Sequence, residues 1–121
     1  MEYIKREIED SVIEDLSSKN KVILIYGARR VGKTELIKKI IKRMNVEHLL
    51  LNGENIEHEE LLKYRSTAHY KRLLGKKQLL IIDEAQTIPE IGLKLKLMID
   101  TIPGLKILAT GSSSFDLNNE V

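Results

Sequence analysis

The chain has 121 residues, 42% of them hydrophobic and 31% charged, which is the length and composition of one globular domain rather than of a disordered segment. It contains no cysteine, which excludes a disulfide scaffold, a thiol enzyme and a cysteine-built zinc site. A formal net charge of +2 argues against a strongly basic nucleic-acid module, and the lack of a signal-peptide core or a long apolar run predicts a cytoplasmic protein that does not enter a membrane.

The first half of the chain alternates between helix and strand patterns. Apolar residues at helical spacing predict a first helix over 3–18 and a second over Lys33–Met44. Between them, residues 21–26 form a short aliphatic run that is apolar on both faces, which is typical of a buried parallel strand. Residues 46–51 predict a second strand, which carries two polar residues and is therefore expected at a sheet edge.

The second half of the chain alternates in the same way. Two further strands are predicted over 78–83 and 105–110, with a helix from Pro89 to about Thr101 between them. The segment 57–75 before them is expected to be helical in two pieces. Strand–helix alternation at these intervals predicts an α/β fold of three layers, in which a parallel sheet carries helices on both faces.

A glycine-rich segment follows the first predicted strand and matches the pattern G-x-x-x-x-G-K-[ST] at every required position. Loops of this kind bind phosphate through backbone N–H groups at a helix N-terminus, with Lys33 on the β- and γ-phosphates and the Thr34 hydroxyl on Mg²⁺. For Arg29 and Arg30, contact with phosphate, pairing with acidic residues and exposure to solvent all remain open. The nucleotide-binding residues expected from this match are Gly27, Ala28, Arg29, Arg30, Val31, Gly32, Lys33, Thr34 and Glu35.

Two carboxylates, Asp83 and Glu84, follow the third predicted strand. Side chains at the carboxyl ends of parallel strands face the ligand crevice of an open α/β sheet. Asp83 is expected to hold the Mg²⁺ shell through water, and Glu84 to polarise the attacking water as general base. The adjacent Glu favours hydrolysis over transfer to a bound acceptor, because such transfer needs no activated water. Gln86 is expected either to sense the nucleotide or to bond to backbone.

Polar residues also follow the fourth predicted strand. The hydroxyls of Thr110 and Ser112 are candidates to hydrogen-bond the attacking water or the γ-phosphate. The alternative is a Gly-Ser turn that merely leaves a strand. Together with Lys33 and Glu84, these two residues complete the expected catalytic group.

The remaining polar features have simpler interpretations. The three histidines, His48, His58 and His69, lack metal-ligand spacing and are expected at the surface. The basic residues of the second helix and of 71–77 are interpreted as solvated helix faces, with DNA contact as the alternative. Tyr3 is expected on the inner face of the first helix, with stacking near an adenine as its alternative.

Three segments carry a resemblance to a known family. The glycine-rich loop, the box 83–86 and the segment 110–115, in this order, resemble the predicted P-loop ATPases of bacteria and archaea in the AAA superfamily. The resemblance implies a P-loop NTPase fold of the AAA+/ASCE type with strand order 5-1-4-3-2, and ATP and Mg²⁺ as ligands. The working residues that it implies are Lys33, Thr34, Asp83 and Glu84.

Members of this family usually continue into a fifth strand, an arginine-bearing segment, a helical lid and a C-terminal region. The resemblance therefore implies that residues 1–121 are an N-terminal ATPase core, truncated to about four strands, in which the strand over 22–26 lies at an open edge. Because exposed apolar edges recruit pairing partners, we expect either self-association or a tail from Gly111 that covers this edge.

The motifs favour Mg²⁺-dependent ATP binding and hydrolysis. The missing downstream elements leave open a nucleotide-dependent binding switch that hydrolyses little by itself. The segments 83–86 and 109–112 also loosely resemble helicase boxes, so a nucleic-acid-stimulated helicase-like module is a third hypothesis. A small-molecule kinase is disfavoured by Glu84.

Overall fold

The computed structural model describes residues 2–18, 22–27 and 33–112. Within these ranges the helix and strand bounds lie within two residues of the sequence-based prediction. A single 3₁₀ turn, which the sequence patterns did not indicate, follows the third strand. The elements in chain order are α1 (Glu2–Ser18), β1 (Val22–Gly27), α2 (Lys33–Met44), β2 (His48–Asn52), α3 (Ile56–Leu61), α4 (Thr67–Leu74), β3 (Leu79–Asp83), the 3₁₀ turn (Ala85–Thr87), α5 (Ile91–Thr101) and β4 (Lys106–Ser112).

The four strands form one parallel sheet in the order β1-β4-β3-β2. This is the order that the resemblance implies for these strands, and β2 lies at an edge as its polar residues indicate. Within the described ranges, β1 pairs with β4 alone and forms the other edge. No helix in that part of the chain has the length and hydrophobicity needed to cross a bilayer.

The core lies on both faces of the sheet, and β3 shows how the sequence produces this. Its residues alternate between the faces, so that Leu80 and Ile82 pack against α4 and α5 while Leu79 and Ile81 pack against α1 and α2. All four side chains are buried, and each contributes about 1.5–3 kcal/mol of burial free energy. The core is aliphatic as the composition predicts, with Tyr70 as an aromatic member.

Local hydrogen bonds divide the segment between β2 and β3 into two helices, as predicted. The Asn55 side chain accepts N–H bonds at the start of α3, and the Ser66 hydroxyl accepts one at the start of α4. Gly75 ends α4 with φ of 56°, a conformation that glycine adopts without steric strain.

Two histidines of this segment are half-buried rather than on the surface, which corrects the sequence-based prediction. His58 Nδ1 accepts a hydrogen bond of 2.9 Å from the backbone N–H of Asn52. His69 Nε2 donates to the carbonyl oxygen of Leu61 at 2.6 Å. Both rings therefore connect a helix to the neighbouring backbone.

The register of the sheet sets where a site can form. Gly27 at the end of β1 lies opposite Ser112 at the end of β4. Asn52 at the end of β2 lies opposite Asp83 at the end of β3. The carboxyl ends of all four strands therefore meet at one edge of the sheet. Contrary to the predicted tail, Gly111 and Ser112 belong to β4, and residues 113–121 lie outside the described part of the chain.

A buried lysine lies away from this edge. Lys94 on α5 is only 3% exposed and borders a cavity of about 210 Å³, together with Glu59 and Glu90. Burial lowers the pKa of Lys94 below its usual 10.5, and the attraction of Glu90 and then Glu59 offsets part of this change. The folded protein therefore binds this proton less tightly than the unfolded chain does.

Lys94→Met should stabilise the protein at neutral pH, because it removes a charge that folding desolvates. We expect about 1 kcal/mol in the free energy of unfolding and ~4 °C in Tm, measured by thermal melting. The gain should shrink as the pH rises toward 10.5, where the unfolded lysine also loses its charge. Lys96→Met, at an exposed position of the same helix, is the control. A lower Tm for Lys94→Met at pH 7 would contradict the assignment.

Candidate functional site

The glycine-rich segment begins at the end of β1 and ends in the first turn of α2. Gly27 is the last residue of β1, and Lys33 is the first residue of α2. The expected phosphate-binding residues Ala28, Arg29, Arg30, Val31 and Gly32 lie outside the described residues.

Two exposed residues follow Lys33 in the first turn of α2. The side chains of Thr34 and Glu35 are both exposed, and Glu35 Oε1 lies 3.8 Å from Lys38 Nζ. Exposed pairs of this kind contribute little to stability. Because its side chain is exposed, the Thr34 hydroxyl is accessible at the amino end of α2, where the sequence predicts a Mg²⁺ ligand.

The Lys33 side chain crosses from α2 to the ends of β4 and β3. Its ammonium donates a hydrogen bond of 3.1 Å to the carbonyl oxygen of Gly111 and lies 3.5 Å from Glu84 Oε2. Both side chains of this ion pair are more than nine-tenths buried. A buried charge is tolerated when an opposite charge and hydrogen bonds compensate for lost hydration. The structure thus brings together the lysine and the glutamate that the sequence assigns to catalysis.

The Thr110 hydroxyl connects the two acidic residues after β3. It donates a hydrogen bond to Asp83 Oδ1 and accepts one of 3.1 Å from the backbone N–H of Glu84. The side chain is 1% exposed. The hydroxyl thus links one carboxylate to one backbone amide, a role that the sequence did not indicate. Ser112 ends β4 opposite Gly27, and its side chain lies outside the described atoms.

Glu84 adopts a left-handed backbone conformation, with φ of 50° and ψ of 51°. For a residue with a side chain this conformation costs on the order of 1–3 kcal/mol, and it persists only where surrounding contacts impose it. The carboxylate accepts a hydrogen bond of 3.0 Å from Gln86 Nε2. Gln86 therefore contacts the side chain of a catalytic candidate. The sequence-based alternatives for Gln86, a nucleotide sensor or a bond to backbone, did not include this contact.

One residue of the site gave no functional signal in the sequence. Gly53, directly after β2, donates its N–H to the carbonyl oxygen of Asp83 at 2.7 Å and packs against the carbonyl of Glu84. The Asn-Gly pair at 52–53 indicates only the end of a strand. Knowledge that β2 pairs with β3 would have been needed to place this glycine beside the acidic residues.

Comparison with known proteins relates the chain to one family. Residues 19–121 match the family whose description is "AAA domain". The uncharacterized protein MJ1637 of Methanocaldococcus jannaschii is 32% identical over 126 residues, which cover 94% of this chain and 26% of that protein. MJECL04 of the same archaeon is 39% identical over 59 residues, 46% of this chain and 13% of that protein. The chain thus spans about a quarter or less of these relatives.

Solved structures share the fold at low sequence identity. A DNA replication initiation factor aligns with a TM-score of 0.62 at 18% identity, over 91% of this chain and 37% of that one. The replication initiator DnaA bound to AMPPCP and single-stranded DNA gives 0.60 at 19%, over 88% and 36%. Bacteroides Pif1 bound to ssDNA gives 0.57 at 19%, over 86% and 31%. These likenesses confirm the predicted P-loop NTPase fold.

Thr110→Val should destabilise the fold while keeping the volume of the side chain. Asp83 then loses a donor and the Glu84 N–H loses an acceptor, so we expect about 1–3 kcal/mol less free energy of unfolding in urea. Thr101→Val is the control, because its hydroxyl bonds only within its own helix, to Leu97. Equal stability of Thr110→Val and the unmodified protein would show that the hydroxyl is not needed there.

Proposed function

Because this chain belongs to the AAA domain family and has its P-loop ATPase core, we propose that it binds ATP with Mg²⁺ and hydrolyses it at the carboxyl ends of β1, β3 and β4. The observation that carries the proposal is the meeting of Lys33 and Glu84, whose charged atoms lie 3.5 Å apart at this edge. They come from different elements and from sequence positions 51 apart, and the fold brings them together.

Residues 27–35 form the phosphate-binding part of the proposed site. The unpaired N–H groups and the positive dipole end of α2 favour an anion there. Lys33 adds a positive charge that reaches the strand ends, where it now contacts the Gly111 carbonyl and Glu84. Phosphate oxygens are better acceptors for an ammonium than a neutral carbonyl is, so Lys33 can exchange the Gly111 carbonyl for phosphate on nucleotide binding. The role of residues 28–32 rests on the sequence match.

The proposed Mg²⁺ ligands are the Thr34 hydroxyl and Asp83. Within the described ranges, no group of three or more His, Cys, Asp or Glu residues could hold a metal ion by itself. Mg²⁺ commonly keeps several waters and binds through one or two protein oxygens together with substrate phosphates. The hydroxyl and carboxylate therefore fit a metal ion that arrives with the nucleotide, and Thr110 would hold Asp83 for it.

Glu84 is the proposed general base, and its surroundings define what it can do. When bound, ATP supplies the phosphoryl group and Mg²⁺ neutralises its charge. The Glu84 carboxylate can accept a proton from water, Gln86 orients that carboxylate, and Lys33 lies beside it. Ser112 remains the candidate at the end of β4 for a hydrogen bond to this water or to phosphate, as the sequence suggests.

A nucleotide-dependent switch with little hydrolysis is the second candidate function. One observation favours it: both Glu84 carboxylate oxygens have protein neighbours, Oε1 with Gln86 and Oε2 with Lys33. Release of at least one of these contacts would then be needed before water is activated. In this case ATP binding persists in calorimetry, while phosphate release stays at background.

A nucleic-acid-stimulated activity has weaker support. Two of the structurally similar proteins were solved with single-stranded DNA, and α2 carries several exposed basic residues. However, Arg43 on α2 pairs with Glu9 at 2.8 Å and with Asp10 at 2.5 Å, and these contacts raise its pKa. The basic face is thus partly neutralised within the fold, and the net charge of +2 adds little attraction.

Glu84→Gln should reduce the rate of phosphate release by about 10²–10⁴-fold, because the amide cannot accept the proton. ATP affinity in calorimetry should remain, whereas Lys33→Ala should weaken it. Glu90→Gln is a matched control, since Glu90 is exposed and shares the left-handed backbone of Glu84, with φ of 55°. Unchanged turnover in Glu84→Gln would exclude the proposed base.

We also propose that the chain self-associates, with the outer edge of β1 pairing with a strand of another copy. Residues 22–25 are apolar and half-buried, and in the described part of the chain β1 has a neighbour on one side only. Sedimentation velocity should then show a mass that rises above that of one chain as concentration increases. A monomer at every concentration would count against pairing between copies.

A further inference from the structure

The two peptide units on either side of the Glu84 Cα atom are held by several contacts. The Asp83 carbonyl accepts the N–H of Gly53 at 2.7 Å, and the Glu84 carbonyl accepts the Thr87 hydroxyl at 3.0 Å. The Glu84 N–H donates to Asp83 Oδ1 and to Thr110 Oγ1, each at 3.1 Å. Contacts from the turn after β2, from β4 and from the 3₁₀ turn together impose the left-handed conformation of Glu84.

Gly53 packs against the peptide that follows Glu84 more closely than any other residue type could. A Cβ atom added at Gly53 would lie 2.2 Å from the Glu84 carbonyl oxygen and 2.5 Å from Thr87 Oγ1. Real Cβ atoms essentially never approach other atoms within 3.0 Å, so one side of the contact would have to move. The nearest atom is backbone, which a rotamer change cannot relieve. Close approach, rather than an unusual φ, is therefore the reason for glycine here.

The turn that carries Gly53 is firmly tied and resists such a movement. The Asn52 N–H donates to His58 Nδ1 at 2.9 Å, and Asn52 Oδ1 accepts the N–H of Glu54 at 2.9 Å. The Asn55 N–H donates to the Asn52 carbonyl at 2.9 Å. Glu84 is also hydrogen-bonded, but its conformation is strained, and movement toward a common backbone conformation would release that strain. An added atom at position 53 should therefore displace Glu84 more readily than the turn.

We propose that Gly53 is a positioning residue for Glu84. Its lack of a side chain lets the turn after β2 pack against the left-handed backbone of Glu84 and so set the direction of the carboxylate. This inference rests on the proposed role of Glu84 as general base. It predicts that changes at Gly53 act on the rate of hydrolysis and not on the affinity for ATP.

Gly53→Ala should lower kcat by about 10–100-fold, because displacement by about 1 Å is enough to impair catalysis to this degree. The Kd for ATP, measured by calorimetry, should change by less than about twofold, because removal of the Glu84 carboxylate is itself expected to leave ATP affinity intact. Gly75→Ala is the matched control. Gly75 has φ of 56°, and a Cβ there would meet nothing within 4 Å, so it strains the backbone without touching the site. It should lower Tm and leave kcat unchanged.

A double-mutant cycle tests whether Gly53 acts through Glu84. In the Glu84→Gln background, Gly53→Ala should cause no further loss of kcat, measured with radiolabelled ATP, because the base is already removed. A further 10-fold loss would mean that the two changes act independently and would overturn the inference. A folded Gly53→Ala protein with native kcat would overturn it as well.

Two further measurements keep the inference separate from folding and from the proposed function. If Gly53→Ala does not fold, two variants of Thr87 replace it. Thr87→Val removes the hydroxyl beside Gly53 and should lower kcat, whereas Thr87→Ser keeps the hydroxyl and should keep the native kcat. Equal kcat in the two variants would overturn the inference. If Glu84→Gln retains native turnover, the proposed function fails rather than the inference about Gly53.

Amide hydrogen exchange tests the positioning of Glu84 without measuring turnover. Gly53→Ala should accelerate exchange at the Glu84 amide, and an unchanged exchange rate would overturn the inference.

Discussion

The site depends on one constraint, which is that four parallel strands end at the same edge of a sheet. Parallel pairing requires crossover connections, and in this sheet β4 lies between β1 and β3. As a result, Gly27 lies opposite Ser112 and the acidic end of β3 lies near the end of β4. Groups from four separated parts of the chain then meet without any long loop to hold them.

The charged groups at this edge, of which Lys33 and Glu84 are buried and Asp83 is half-buried, each have a partner. Lys33 neutralises Glu84 and also donates to the Gly111 carbonyl, while Thr110 donates to Asp83. Such a network is stable only when its members are satisfied, because an unpaired charge in a buried place loses its hydration without compensation. The same network keeps Glu84 in a strained conformation, which is a common property of functional sites. Packing and proposed catalysis therefore depend on the same contacts.

The fold and the main candidate residues of the site could be predicted from the sequence, because the patterns that indicate them are local. Runs that are apolar on both faces indicate buried parallel strands, and the glycine-rich pattern followed by a helix indicates phosphate binding. The strand order came from the resemblance. The contacts that the sequence did not indicate depend on how elements pack. Thr110 bonds to Asp83 and Glu84 after the neighbouring strand, and His58 of α3 bonds to Asn52 at the end of β2. No periodicity or motif carries that information, because these partners are set by strand pairing and packing.

The sequence by itself determined the element types, the parallel character of the sheet and the identity of Lys33, Thr34, Asp83 and Glu84 as candidates, since each follows from composition and spacing along the chain. Only the tertiary structure decided how these groups are held. It shows the ion pair of Lys33 with Glu84 and the close approach of Gly53 to the Glu84 carbonyl. The physical reason is that hydrogen bonds and steric contacts act over a few ångströms between residues that lie dozens of positions apart in sequence.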